Sequence, residues 1–129
     1  MPRPPPELRR GRRLTNQSAG AWGEDLALRY LLRRGYRLVA RNYRKRRGEI
    51  DLIVTDDETL VFVEVKLRRS TGFGDPLEAV TSRKQATIRS LAEQYLAENQ
   101  PEFETLRFDV IGILATRSGT RIAHIQEAF

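Results

Sequence analysis

The 129 residues predict one α/β domain in the order helix, three strands, helix, two strands. Three observations carry that expectation. Trp22, Leu26 and Tyr30 recur at helical spacing, as do Ile88, Leu91, Ala92, Tyr95 and Leu96 farther along, so two amphipathic helices are expected. Val, Ile, Leu and Phe fill Ile50 to Thr55 and Leu60 to Leu67 on either side of the polar run Asp56-Asp57-Glu58-Thr59, which is the pattern of a β-hairpin. A chain of this length buries one core, not two.

Residues 1–14 hold four of the six prolines and five arginines. That basic composition cannot build a core element and is expected to be a disordered tail, leaving 15–129 as the single domain. The first helix is expected to begin near Asn16 to Ser18, whose side chains suit an N-cap, and to stop at Gly35 as the residue after the helix end. Tyr36 to Asn42 alternates weakly as a strand, and Tyr43 to Arg47 reads as a basic loop leading into the hairpin. After the hairpin, Arg68 to Asp75 is a glycine-containing linker in which Phe73 either stacks on a base or is buried. Ser82 and Gln85 have the spacing of a capping box, and the helix they open runs to about Glu98. Leu106 to Ala115 reads as a strand covered on both faces, turning through Arg117-Ser118-Gly119-Thr120 into a last strand, Arg121 to Ile125. His124, the lone histidine, is expected to have no partner there.

The hairpin carries the chemistry. Whether its loop has four residues or two, Thr55 faces Leu60, so Asp51 should face Glu64 and Glu49 should face Lys66. Opposed side chains lie roughly 5 Å apart, and alternation puts all four charges on one face. Two carboxylates that close repel by roughly 3 kcal/mol at an effective dielectric of about 20. Two readings of that patch are open: a salt-bridge ladder on a solvated face, or a hard divalent cation held by the paired acids.

Composition narrows the chemistry. With no cysteine and one histidine, disulfides and thiolate sites are excluded, and any metal site must be built mainly from oxygen, favouring Mg²⁺ or Mn²⁺ over Zn²⁺. The net charge is +6. Between Leu26 and Gly48 lie nine basic residues and no acid, a footprint expected of a polyanion-binding surface. No apolar run approaches the roughly 20 residues of a bilayer span, and the arginine-rich start lacks a secretory core, so a cytoplasmic protein that avoids membranes is expected.

GEIDLI at Gly48 to Ile53 followed by FVEVK at Phe62 to Lys66 resembles the D…(D/E)-x-K signature of the PD-(D/E)XK, or restriction-endonuclease-like, nuclease superfamily. The stretch from Gly23-Glu24-Asp25 to Tyr95-Leu96 is more specifically similar to the small bacterial YraN-like family. Ile50 stands where the superfamily pattern places a proline. The resemblance implies a restriction-endonuclease-like core, with a mixed central β-sheet flanked by helices. It implies that Asp51 and Glu64, with the Val65 carbonyl, hold Mg²⁺ or Mn²⁺, that Lys66 orients or deprotonates the attacking water, and that the helical acid Glu24 supports the site. Lys84 and Gln85 fall where related enzymes carry auxiliary polar residues. Arg41, Arg44, Lys45, Arg46, Arg47 and Arg68 join them as the expected nucleic-acid contacts. The activity implied is metal-dependent hydrolysis of DNA phosphodiesters, on branched or single-stranded DNA in repair or recombination; nucleases of this superfamily often form homodimers, and the sequence leaves the oligomeric state of this chain open. The alternative is a non-catalytic nucleic-acid-binding module or interaction scaffold that keeps the fold.

Overall fold

A computed structural model describes residues 16–68 and 79–129. The elements are α1 (Asn16–Arg33), β1 (Arg37–Lys45), β2 (Gly48–Asp56), β3 (Thr59–Arg68), α2 (Ser82–Asn99), β4 (Thr105–Thr116) and β5 (Gly119–Ile125). The predicted order of helices and strands is therefore the observed one. The expectations for the 1–14 tail and for Phe73 fall outside the described residues.

The five strands form one sheet in sequence order, β1-β2-β3-β4-β5. Every neighbouring pair is antiparallel except β3 and β4, which are parallel. A parallel pair needs a long crossover, and α2 lies within it. The sheet is mixed and has a helix on each face. Leu26, Ala27 and Leu31 of α1 pack with Leu52, Val54, Val61, Val63, Ile111 and Ile113. On the other face Ile88, Leu91, Ala92 and Tyr95 of α2 pack with Ile53, Leu60, Phe62, Phe108 and Val110. Trp22 and Tyr30 pack against the α1-side core, as the helical stripe requires.

Local chemistry sets the element ends. Gly35 at φ +90° turns the chain out of α1, while the Tyr36 N–H reaches back to the Leu31 carbonyl and the Gly35 N–H to that of Leu32, closing the end with glycine in the left-handed region. The hairpin turn has two residues, Asp57 and Glu58, with Asp57 at φ +52°, and the register places Thr55 opposite Leu60 as expected. At α2 the cap lies one residue before the expected Ser82: the Thr81 hydroxyl accepts the Lys84 N–H at 3.1 Å. Gln85 turns its amide to the Val80 carbonyl instead of closing a capping box. β1 runs three residues past the expected Asn42, so only Arg46 and Arg47 form the turn into β2.

His124 is the clearest departure from the sequence expectation. Far from lacking a partner, it is 5% exposed and lies between β4 and α1. Its Nε2 meets Asp109 Oδ2 at 2.7 Å and its Nδ1 meets the Tyr30 hydroxyl at 3.0 Å. The fully buried Asp109 also accepts two bonds from Arg107, at 2.8 and 2.9 Å, and one from the Glu127 N–H. Arg107 in turn donates to the Tyr36 hydroxyl at 2.7 Å. This network ties α1, the start of β1, β4 and β5 together beneath the α1-side core.

Burial by itself would raise the Asp109 carboxyl, but the hydrogen bonds from His124 and Arg107 outweigh it and hold the group below the ordinary aspartate value. Asp109→Asn leaves the buried Arg107 guanidinium without its counter-ion and is expected to lower stability by about 3–5 kcal/mol in urea unfolding. Because the folded value lies below the unfolded one, the carboxylate's stabilisation is fully present above about pH 4. It is lost as pH falls through the folded value. Acid unfolding followed by circular dichroism is therefore expected to show a smaller pH dependence in the variant.

Candidate functional site

The site forms where β2 and β3 part. Their ladder runs from Asp56 opposite Thr59 to Leu52 opposite Val63 and stops there. At the next step Asp51 Oδ2 accepts the Val65 N–H at 2.8 Å, so a carboxylate takes the main-chain bond that a strand partner would have made. A strand residue's N–H and C=O leave the same edge, so the Val65 carbonyl also faces this gap.

The cores show why the strands part. Gly48 faces Thr87 and Leu91 of α2, and Ile50 packs in the α2-side core. Leu52 packs in the α1-side core, Ile53 in the α2-side core and Val54 in the α1-side core. Strict alternation would put Ile50 and Leu52 on one face. The side-chain phase of β2 therefore slips by one at Asp51.

β1 slips at the matching place. Ala40 and Tyr43 both pack on the α2-side core although they are three apart, while Arg41 and Asn42 both bond to residues on the α1 side. Asn42 sits in the left-handed region at φ +55°, a conformation Asn tolerates better than most residues. Arg41 opposes Leu52 and Tyr43 opposes Ile50, so the two strands change phase together and stay paired.

This slip decides which acids meet. Glu24 from α1, Glu49 and Asp51 bring carboxylate oxygens to within 4.8 Å of one another. Glu64 approaches Asp51 from the other side of the gap and is 6% exposed. Its Oε2 is buried without a hydrogen bond among the described residues, and the Lys84 ammonium stands 3.5 Å away. Burial first, and then the hydrogen bond and charge of Glu64, push the Asp51 carboxyl far above the usual aspartate range, against the opposing effect of the Val65 N–H. Burial and Glu64 both favour the neutral form of Asp51.

An oxygen-only donor set flanked by a buried carboxylate oxygen without a hydrogen bond suits a hard divalent ion. Asp51, Glu64, the Val65 carbonyl, Glu24 and Glu49 are the groups placed to hold one.

The expected facing of Glu49 and Lys66 is not found. Glu49 lies on the α1 side, where it accepts from Asn42 at 2.6 Å and from Arg44 at 3.2 Å. Lys66 follows Glu64 in the unbroken register of β3 against β4, so it shares the α2-side face with Glu64. Among the described residues it has no ion-pair partner. Period-two reasoning failed here because the phase slip lies between the residues being compared. The residue that sequence reasoning missed altogether is Asn42. Its only signal was an Asn inside a weak strand next to the acidic motif.

Several expected nucleic-acid contacts make intramolecular pairs. Arg41 pairs with Asp25 at 2.7 Å and reaches Glu24 at 3.5 Å. Lys45 pairs with Glu98, Arg44 with Glu49, and Gln85 serves the start of α2. Lys84 lies at the site itself. Arg46 and Arg47 are exposed at the β1–β2 turn, with no ion pair among the described residues. Arg68, the last residue of β3, is half-buried at the end of the strand that carries Glu64 and Lys66.

Comparison with known proteins places this geometry in a group. The model of a family described as "Uncharacterised protein family UPF0102" matches residues 23–113, a span that contains every acid of the site. A UPF0102 protein of Syntrophomonas wolfei is 46% identical over 114 residues, covering 88% of this chain and 99% of the relative. One of Nocardia farcinica is 50% identical over 115 residues, covering 88% and 90%. One of Chlorobaculum tepidum is 49% identical over 119 residues, covering 88% and 92%.

The buried pair should cost the metal-free protein stability. Glu64→Gln replaces an orphaned carboxylate oxygen with an amide that can donate to Asp51, and leaves Lys84 with access to water; a gain of about 1–3 kcal/mol is expected in thermal or urea unfolding without metal. The raised Asp51 carboxyl makes stability fall as pH climbs from about 4 toward its folded value, because the unfolded chain ionises first. The advantage of the variant is therefore expected to widen from pH 5 to pH 8.

Proposed function

The chain belongs to the uncharacterised protein family UPF0102, the YraN-like family of the sequence resemblance, and we propose that it is a metal-dependent endonuclease hydrolysing phosphodiester bonds in DNA. One observation carries the proposal: Glu24, Glu49 and Asp51 bring carboxylate oxygens together at the gap between β2 and β3, and beside Asp51 the buried Glu64 Oε2 has no hydrogen bond among the described residues, with the Lys84 ammonium 3.5 Å away. A purely structural ladder gains nothing from such a group. A nuclease does, because Mg²⁺ or Mn²⁺ on these oxygens would lower the pKa of a bound water and stabilise charge on the scissile phosphate.

The chain's own residues supply the rest. Asp51, fixed by the Val65 N–H, is the acid common to both sides of the gap. Lys66 is half-buried on the same face as Glu64 and without an ion pair among the described residues, so its ammonium is available to orient the attacking water or to meet the developing phosphorane charge. Lys84, 36% exposed and 3.5 Å from Glu64, can turn from that carboxylate to a substrate phosphate once the carboxylate is otherwise neutralised. Arg46 and Arg47 offer guanidinium groups to the backbone at the β1–β2 turn.

Purified protein with Mg²⁺ or Mn²⁺ on a panel of duplex, flap, junction and single-stranded DNA is expected to cleave at least one substrate. Asp51→Ala and Lys66→Ala are each expected to lower the rate by about 100-fold or more. Arg46→Ala with Arg47→Ala should weaken binding and reduce its salt dependence by about 0.9 in log–log slope for each duplex phosphate that is no longer neutralised. Absence of cleavage across the panel, or cleavage indifferent to Asp51→Ala, would overturn the proposal in favour of a binding module.

A further inference from the structure

Asn42 contributes no charge to the site, yet it touches two of its acids. Its Nδ2 donates to Glu24 Oε1 at 2.8 Å and to Glu49 Oε1 at 2.6 Å, joining an acid of α1 to an acid of β2. A primary amide has two N–H bonds, so both contacts are made at once, and each carboxylate keeps further lone pairs. The opposite amide orientation would set Oδ1 against two carboxylate oxygens, so the contacts fix which way the group points.

We infer that Asn42 is the positioning residue of the metal centre, holding Glu24 and Glu49 in ligating geometry around Asp51 before the cation arrives. The inference rests on the metal-dependent reading above. Two carboxylates whose oxygens lie within 4.8 Å of each other repel, and unrestrained side chains would swing apart into water. A neutral double donor offsets that repulsion without adding positive charge, whereas a lysine or arginine between the acids would oppose an incoming cation. Other donors compete for these acids less closely. Arg41 is engaged chiefly with Asp25 at 2.7 Å, against 3.5 Å to Glu24. Arg44 holds Glu49 through a side chain that is 70% exposed, where ion pairs contribute little.

The residue type fits a double task. The left-handed backbone at Asn42 lets β1 change phase opposite the slip in β2, and the amide then lies where both acids can reach it. Glycine would serve the backbone but not the carboxylates, alanine neither, and aspartate would add a third negative charge. Asn42→Gly therefore separates the two tasks, since glycine adopts φ +55° without strain.

Mn²⁺ titrated into the full chain by calorimetry is the test. Wild type is expected to bind, Glu64→Gln to lose binding, and Asn42→Gly to keep its cooperative unfolding while binding about 10–100-fold more weakly. Glu49→Ala, costly in wild type, is expected to cost little in the Asn42→Gly background, because Asn42 acts through that acid. Unchanged affinity in Asn42→Gly, or additive effects in the double variant, would overturn the inference while leaving the metal centre standing. No Mn²⁺ binding by wild type would overturn both. Should the glycine variant fail to fold, the side-chain amide signals of Asn42 in wild type serve instead: they are expected to shift with the Mg²⁺ binding curve, and signals that stay still would reject the assignment.

Discussion

The structure turns on two carboxylates held together in the gap between β2 and β3. Asp51 and Glu64 belong to adjacent strands whose ladder ends one residue before them. The side chain of one replaces a main-chain partner of the other strand. Such an arrangement is costly for a folded protein, and the surroundings share that cost. The Asp51 carboxyl is pushed toward its neutral form, an ammonium from α2 stands beside Glu64, and the amide of Asn42 secures the next two acids. The helices are placed accordingly. α1 brings Glu24 to one side of the gap and α2 brings Lys84 to the other, so both faces of the sheet end at the same point.

Stability has to come from elsewhere. The two cores are apolar and nearly closed, with Phe62, Leu31, Ile50, Leu52, Ile53 and Leu91 among the fully buried side chains. A second polar cluster behaves in the opposite way to the first. Asp109 is fully buried and receives four hydrogen bonds, from Arg107, His124 and the Glu127 N–H. Its charge is thereby favoured, whereas that of Asp51 is opposed. Two aspartates in one sheet are thus shifted in opposite directions from the same reference value, and the supply of donors separates them. The satisfied cluster holds elements together; the unsatisfied one leaves lone pairs open to a ligand.

Much of the frame was legible because it depends on neighbours in sequence. The polar run at Asp56 to Thr59 fixed the register of β2 against β3 whatever the turn type, and Gly35 marked the end of α1 through its backbone freedom. That register led to the expectation that Asp51 meets Glu64, and their side chains do meet although the ladder stops one step short of them. Glu49 was misplaced because alternation was carried across a phase slip, and the slip depends on a left-handed residue in the neighbouring strand, Asn42. No period in β2 alone reveals it. The partners of His124 were illegible for a related reason: Tyr30 lies 94 residues away in sequence and Asp109 lies on an adjacent strand. Such contacts exist only once α1 has packed on the sheet.

The basic surface changes most between sequence and structure, and the change narrows how a polyanion would approach. Nine basic residues in a run without acids suggest a broad positive face. Arg41, Arg44 and Lys45, however, are drawn to Asp25, Glu49 and Glu98, acids that precede or follow the run in sequence and so do not interrupt it. The turn at Arg46 and Arg47 stays exposed near the acids with no ion pair among the described residues. At roughly 3.3 Å per strand residue, Arg47 lies about 7 Å along β2 from Glu49 and about 13 Å from Asp51. Positive charge therefore stands close enough to the acidic gap to hold a phosphate backbone, yet far enough along the strand that its guanidinium groups need not fill the place of a cation. A uniformly basic face would lack that separation from Asp51 and Glu64.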